Sequence, residues 1–344
     1  MAILPHLDDV AGLFAGIINT IGLPTPDTFE QLDVYRGLPI ETLFPAPKAV
    51  PVVRRSRRWA LPGILSEDVI FPSEHEPLEP AFGERYENDY PEVHTVYARR
   101  LRTAAARGRP RLLYIHGYMQ PETLIEEVGI IAGLARRLDM EVIQLQPPYH
   151  GRRKPRASRF DGELYWTADA VRSIEALRQT LLDARSLLSW MQANDPRPVG
   201  IAGISLGGAL SAALTCLEER FAFSIPLVGH MDLPALLHDA PVLARMRREL
   251  AEFGWSTEEF AAFFHDIGWN ELKPKLPPER ILLLAASDDR FFDPEVMEAM
   301  WERWGRPRIE WYPASHMGFF RFASEFLTHI REFVDEIAAE TGSG

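Results

Sequence analysis

The chain has 344 residues, with 37 Lys plus Arg against 49 Asp plus Glu, and so carries a formal charge of −12. That sign excludes a general nucleic-acid-binding surface, which needs an excess of cations to hold a phosphate backbone. With 46% hydrophobic and 25% charged residues the composition is that of a globular protein, and the length suits one large α/β domain with insertions or two smaller ones.

The first feature in chain order is an apolar segment, Val10 to Leu23. No Lys or Arg precedes Arg36, and Asp8 and Asp9 stand where a secretion signal carries positive charge. Asn19 and Thr20 interrupt the segment, which falls short of the ~20 apolar residues of a membrane span, so it reads as a surface helix of a cytoplasmic protein. Pro45, Pro47 and Pro51 then predict an extended stretch, making residues 1–50 an N-terminal arm and 51–344 the main domain. Trp59 to Ile64 and Val93 to Ala98 are predicted antiparallel or edge strands, with Arg54, Arg55, Arg57 and Arg58 guarding the edge by charge.

From Arg111 onward short apolar runs alternate with amphipathic stretches, the pattern of βαβ units and a parallel sheet. The predicted strands are Leu112 to Ile115, Glu141 to Leu145, Val199 to Ile204, Ala222 to Leu227, Ile281 to Ala286 and Ile309 to Tyr312. Ile174, Leu177, Leu181, Leu188 and Met191 predict a helix with one buried stripe, and Phe322, Phe326, Ile330, Phe333 and Ile337 predict the same for the last helix. Two connections are too long for plain turns: Pro147 to Thr167, and a helical insertion at about 231–279 that reads as a lid. The one cysteine, Cys216, can form no intramolecular disulfide and reads as buried.

The strongest chemical signal is Gly203-Ile204-Ser205-Leu206-Gly207-Gly208, between a strand-like run and the helix-like run Ala209 to Leu217. A serine on so tight a strand-to-helix turn needs small residues two before and two after it, and the helix N-terminus favours a developing oxyanion. A serine hydroxyl needs a base, and the base an orienting carboxylate. His316 follows the final strand and is the base expected; His329 lies mid-helix, and His116 precedes the serine. For the acid, Asp289 is the first choice at a strand's C-terminal end, Asp288 the second and Asp232 the third. The oxyanion donors expected are the backbone N–H groups of Leu206 and of Tyr118, in the loop His116-Gly117-Tyr118-Met119. His116 itself reads as an anchor of that loop.

These motifs, in this order, make Leu112 to about Val334 resemble the alpha/beta-hydrolase superfamily. The resemblance implies a mostly parallel sheet flanked by helices with a helical lid, a Ser205–His316–Asp289 catalytic triad and an acyl-enzyme. Within it, Pro148-Tyr149-His150-Gly151-Arg152-Arg153-Lys154-Pro155 resembles the subgroup called alpha/beta-hydrolase domain-containing protein eighteen, although an aromatic residue usually stands where His150 does. That subgroup implies acyl-lipid substrates. Arg152, Arg153 and Lys154, clustered in an acidic chain near the sheet edge that carries Ser205, are expected to meet an anionic substrate group or else to form a solvated loop, and Phe260 and Phe264, with Trp255 and Phe263, to line an acyl pocket or else to belong to the core. Neither cofactor nor metal is expected: phosphate-cradle and zinc-protease motifs are missing, and His230, Asp232 and His238 read as a polar rim of the insertion. The expected activity is hydrolysis of a small-molecule or lipid-like ester. A peptidase or thioesterase with the same triad, or a non-catalytic binding protein on the same fold, are the competing readings.

Overall fold

The computed structural model describes residues 29–61, 63–106, 108–120 and 131–341. The expected helix over Val10 to Leu23 lies outside them. Among the described residues nine strands form one sheet: β1 Arg54–Leu61, β2 Ile64–Pro72, β3 Thr95–Thr103, β4 Arg111–Ile115, β5 Glu141–Leu145, β6 Val199–Ile204, β7 Ser224–Leu227, β8 Leu282–Ala286 and β9 Arg308–Tyr312. Their spatial order is β1-β2-β3-β5-β4-β6-β7-β8-β9, with β1, β2 and β3 antiparallel and every pair from β5 to β9 parallel. The run Trp59 to Ile64, expected as one strand, straddles two, because the chain reverses at Gly63, whose φ of 80° suits a residue without Cβ.

The strands from β4 to β8 are buried on both faces, which is why they read as continuous apolar runs. Successive residues serve opposite layers: Leu113 and Ile115 enter one core, Leu112 and Tyr114 the other. The principal helices are α1 Pro80–Asp89, α2 Ala132–Leu138, α3 Ala170–Asn194, α4 Leu206–Leu217, α5 Leu233–Asp239, α6 Ala244–Glu252, α7 Thr257–Asp266, α8 Pro294–Arg303 and α9 Ala323–Thr341. α3 and α4 belong to the first core, α2 and α9 to the second.

α3 departs from the single stripe expected of it, since its polar residues are buried as well. Residues upstream of β3 supply several of their partners. The Tyr35 hydroxyl donates to Glu175 at 2.6 Å, the His75 ring lies 3.0 Å from the same carboxylate, and Ser73 donates to Asp183 at 2.6 Å. Leu32, Tyr35, Leu43 and Phe44, from the described part of the N-terminal arm, join the same core. Periodicity marks the polar face of α3; what covers it is decided elsewhere in the chain.

β5 lies on one side of β4 and β6 on the other, so the loops leaving β4 and β6 diverge at a crevice at the carboxyl ends of the strands. Such a crossover point is where open α/β sheets meet ligands. Ser205 stands there.

Candidate active site

Ser205 bridges β6 and α4 with φ 58° and ψ −120°, a conformation costing a non-glycine residue on the order of 1–3 kcal/mol. The surroundings enforce it. The Ser205 N–H donates to the Leu227 carbonyl at 3.0 Å, and a Cβ at Gly203 would overlap the Gly207 carbonyl, one at Gly207 the Ile115 carbonyl. The hydroxyl is thereby presented at the crevice, with Ser205 half-buried.

The structure brings three predicted side chains together. Ser205 Oγ lies 3.0 Å from His316 Nε2, and His316 Nδ1 lies 2.8 Å from Asp289 Oδ2. His316 and Asp289 are 5% and 6% exposed, so water does not compete for the pair. The other carboxylate oxygen of Asp289 accepts the backbone N–H groups of Phe291 and Phe292 at 2.8 and 2.9 Å, which fix the side chain in its role as acceptor. The rings of Phe291 and Phe292 cover the His316 imidazole at 4.8 and 5.5 Å. Sequence reading missed these two residues, although Asp289-Arg290-Phe291-Phe292 carries a signal, an Asp able to bind N–H groups two and three residues on.

The alternative acids point elsewhere. Asp288 is exposed and accepts from its neighbour Ser287 at 3.0 Å, while Asp232 caps α5 through the Ala235 N–H at 3.1 Å. On the other side of Ser205, the loop after β4 approaches closely enough that a Cβ at Gly117 would sit 3.5 Å from Ser205 Cβ. Gln120 accepts the Gly117 N–H at 3.0 Å, and Met119 turns with φ 59°. Tyr118 therefore lies in a constrained turn beside the serine, opposite Leu206, the first residue of α4. His116 donates to the Gly117 carbonyl at 2.8 Å and packs edge-on against His150, as an anchor would.

The basic run needs correction. Arg153 is fully buried, bound to Asp183 at 2.8 Å and donating to the Gln146 and Val93 carbonyls. Arg152 pairs with Asp68 at 3.2 Å and lies over the Tyr97 ring, and Lys154 donates to the Ser158 carbonyl at 3.0 Å. Arg152 ties the long β5–α3 connection to the sheet, Arg153 ties it to α3, and Lys154 closes a turn within it; their clustering in sequence reflects several separate partners. Phe260 and Phe264 are corrected likewise: both are buried in the first core, where Phe264 meets Phe260, Phe263 and Trp269 edge-on. The insertion reaches the site differently, through Ala235, His238 and Pro241, which with Asp289 and Phe291 line a cleft of about 520 Å³.

His230, expected at a polar rim, is wholly buried, neither ring nitrogen has a hydrogen-bond partner among the described residues, and its ring meets Phe292 edge-on at 5.2 Å. Burial pushes its pKa down to about 4, although the carboxylates of Asp232, Asp289 and Asp293 pull the other way. Among the described residues no group of three or more His, Cys, Asp or Glu is arranged to hold a metal ion. Among them, too, no helix is long and apolar enough to cross a membrane.

The fold is that of the alpha/beta hydrolases. It is similar to an acetyl xylan esterase from a Paenibacillus species (TM-score 0.58, 13% identity, covering 92% of this chain and 98% of that one). It is also similar to acetyl xylan esterase 1 from a Thermoanaerobacterium species (TM-score 0.57, 16% identity, the same coverage). The family this chain resembles is alpha/beta hydrolase domain containing 18, whose model matches residues 130–233. An uncharacterized protein of Mycobacterium tuberculosis is 28% identical over 247 residues, 68% of this chain and 55% of that protein. The chain thus spans about half the length of that relative. A shorter match, 29% over 91 residues, is to an uncharacterized protein of Bacillus subtilis.

Proposed function

We propose that the protein is a serine hydrolase that cleaves a carboxylic ester through Ser205, His316 and Asp289. The observation that supports this reading is the unbroken path from Ser205 Oγ to His316 Nε2 at 3.0 Å and from His316 Nδ1 to Asp289 Oδ2 at 2.8 Å. Ser205 Oγ attacks the ester carbonyl carbon as His316 Nε2 takes its proton, and Asp289 stabilises the imidazolium without taking a proton itself. The negative charge that forms on the carbonyl oxygen is met by the N–H groups of Tyr118 and Leu206, the latter at a helix N-terminus. His316 then protonates the leaving alkoxide, giving an acyl-Ser205. Water deprotonated by His316 attacks that acyl group, and the carboxylic acid leaves as Ser205 regains its proton.

The cleft walled by α5 and by the loop after β8 is the entry for one arm of the substrate, and the insertion around α5 to α7 is its lid. An ester is the first substrate to test, since the two named structural neighbours are esterases. A fluorophosphonate label decides between enzyme and binding protein. Stoichiometric labelling that Ser205→Ala abolishes supports the reading; an unlabelled wild-type chain that hydrolyses no ester, thioester or amide overturns it.

A further inference from the structure

We propose that a cleft at the opposite end of the sheet from Ser205 binds a compact anion of the phosphate class. The cleft, of about 590 Å³, lies where β2, β4, β5 and β6 begin and β3 ends. It is thus a full strand length, roughly 17 Å for five residues, from the carboxyl ends that carry the candidate active site.

Its charges do not balance. Arg57, Arg100, Arg102 and Arg197 line it with Glu141 and Asp195. Arg100 binds Glu141 at 2.8 Å and Glu67 at 3.4 Å, Arg102 reaches Glu67 only at 4.0 Å, and Arg197 binds Asp195 at 2.7 Å. Behind them Arg111, 2% exposed, is held by the carbonyls of Met191, Asp195 and Arg197 at 2.8, 2.6 and 2.7 Å. Carbonyl dipoles orient a guanidinium but do not cancel its charge. Among the described residues, four guanidinium groups line the cleft (Arg57, Arg100, Arg102 and Arg197) and a fifth, Arg111, lies behind it, against three carboxylates (Glu67, Glu141 and Asp195), a local excess of two positive charges in a chain of net charge −12.

The donors point the same way. Arg100 Nε, Arg111 Nε and Thr103 Oγ1 are buried at this end of the sheet and have no hydrogen-bond partner among the described residues. Unpaired buried donors are uncommon, and those at this cleft would be satisfied by an acceptor bearing several oxygens. A phosphate group meets both requirements, offering negative charge and oxygens in several directions. The size of the cleft and the net charge of the whole chain select a small anion over an extended polyanion, which the rest of the surface repels.

The full-length protein is titrated with inorganic phosphate, pyrophosphate and, as a carboxylate control, citrate, at constant ionic strength set by chloride. Calorimetry and thermal melting follow binding in wild type and in an Arg57→Gln/Arg102→Gln variant, both of whose positions are exposed and outside the core. Phosphate or pyrophosphate should bind wild type saturably, raising Tm by about 4 °C at a hundredfold excess over Kd. The variant should bind at least tenfold more weakly, with ester hydrolysis unchanged. No saturable binding at millimolar concentrations, binding of citrate alone, or equal affinity in the two proteins would each overturn the assignment. The wild-type titration decides whether a site exists even if the variant does not fold.

Discussion

Replacing His230 by Phe should abolish a specific part of the protein's acid sensitivity. In an unfolded chain the imidazole titrates near 6.5, whereas in the fold burial holds it at about 4. Between those values the unfolded chain takes up a proton that the native state refuses, so stability is full above about pH 6.5 and is lost as pH falls toward 4. The two pKa values imply a contribution lost by pH 5 of about 2 kcal/mol, against a small fraction of that at pH 7, with a limit of about 3 kcal/mol below pH 4. Phe keeps a flat ring against Phe292 and removes the titration along with two ring nitrogens that lack partners. Urea unfolding of wild type and His230→Phe at pH 5, 6 and 7 measures the difference directly. The variant should be at least as stable as wild type at pH 7, and its advantage should grow by about 2 kcal/mol at pH 5, several tenths of a molar in midpoint. Parallel pH profiles would refute the argument, since they would mean that the wild-type imidazole is hydrated or paired.

The other predictions concern the site and its supports. Ser205→Ala and His316→Ala should each lower ester hydrolysis on the order of 10⁴-fold, and the double variant little further, because the groups act as a unit; additive losses in a steady-state assay would count against the triad. Asp289→Asn should cost roughly 10³–10⁴ in kcat while Asp288→Asn, at an exposed position bound to Ser287, leaves most activity; the reverse ranking would move the acid. Arg153→Met should destabilise the fold by about 3–5 kcal/mol by leaving Asp183 buried and uncompensated, with kcat/KM for neutral and anionic esters changed alike; selective loss of the anionic ester would restore a substrate role to that loop. Phe264→Ala should likewise cost about 3–5 kcal/mol in denaturation and reduce hydrolysis of short and long acyl esters in equal proportion.

The parts of this protein legible in its sequence are those that local chemistry dictates. Short apolar runs buried on both faces announced β4 to β8, and the glycines around Ser205 announced a turn that tolerates no Cβ two residues to either side. The chain order of Ser205, Asp289 and His316 could be read because each follows a strand whose end defines its position. Partnership could not be read. Arg152, Arg153 and Lys154 are adjacent in sequence yet satisfied by groups as far away as Asp68 and Val93, and the polar face of α3 is buried in part because residues upstream of β3 fold over it. His230 stands two residues before an N-cap and reads as a loop histidine, but it is buried, with Phe292 from the loop after β8 packed against its ring. Charge and hydropathy are properties of a residue and its neighbours along the chain, so they specify strands, turns and caps. Which charges are buried, paired or left over depends on contacts between segments tens to more than a hundred residues apart, and those exist only once the sheet has assembled.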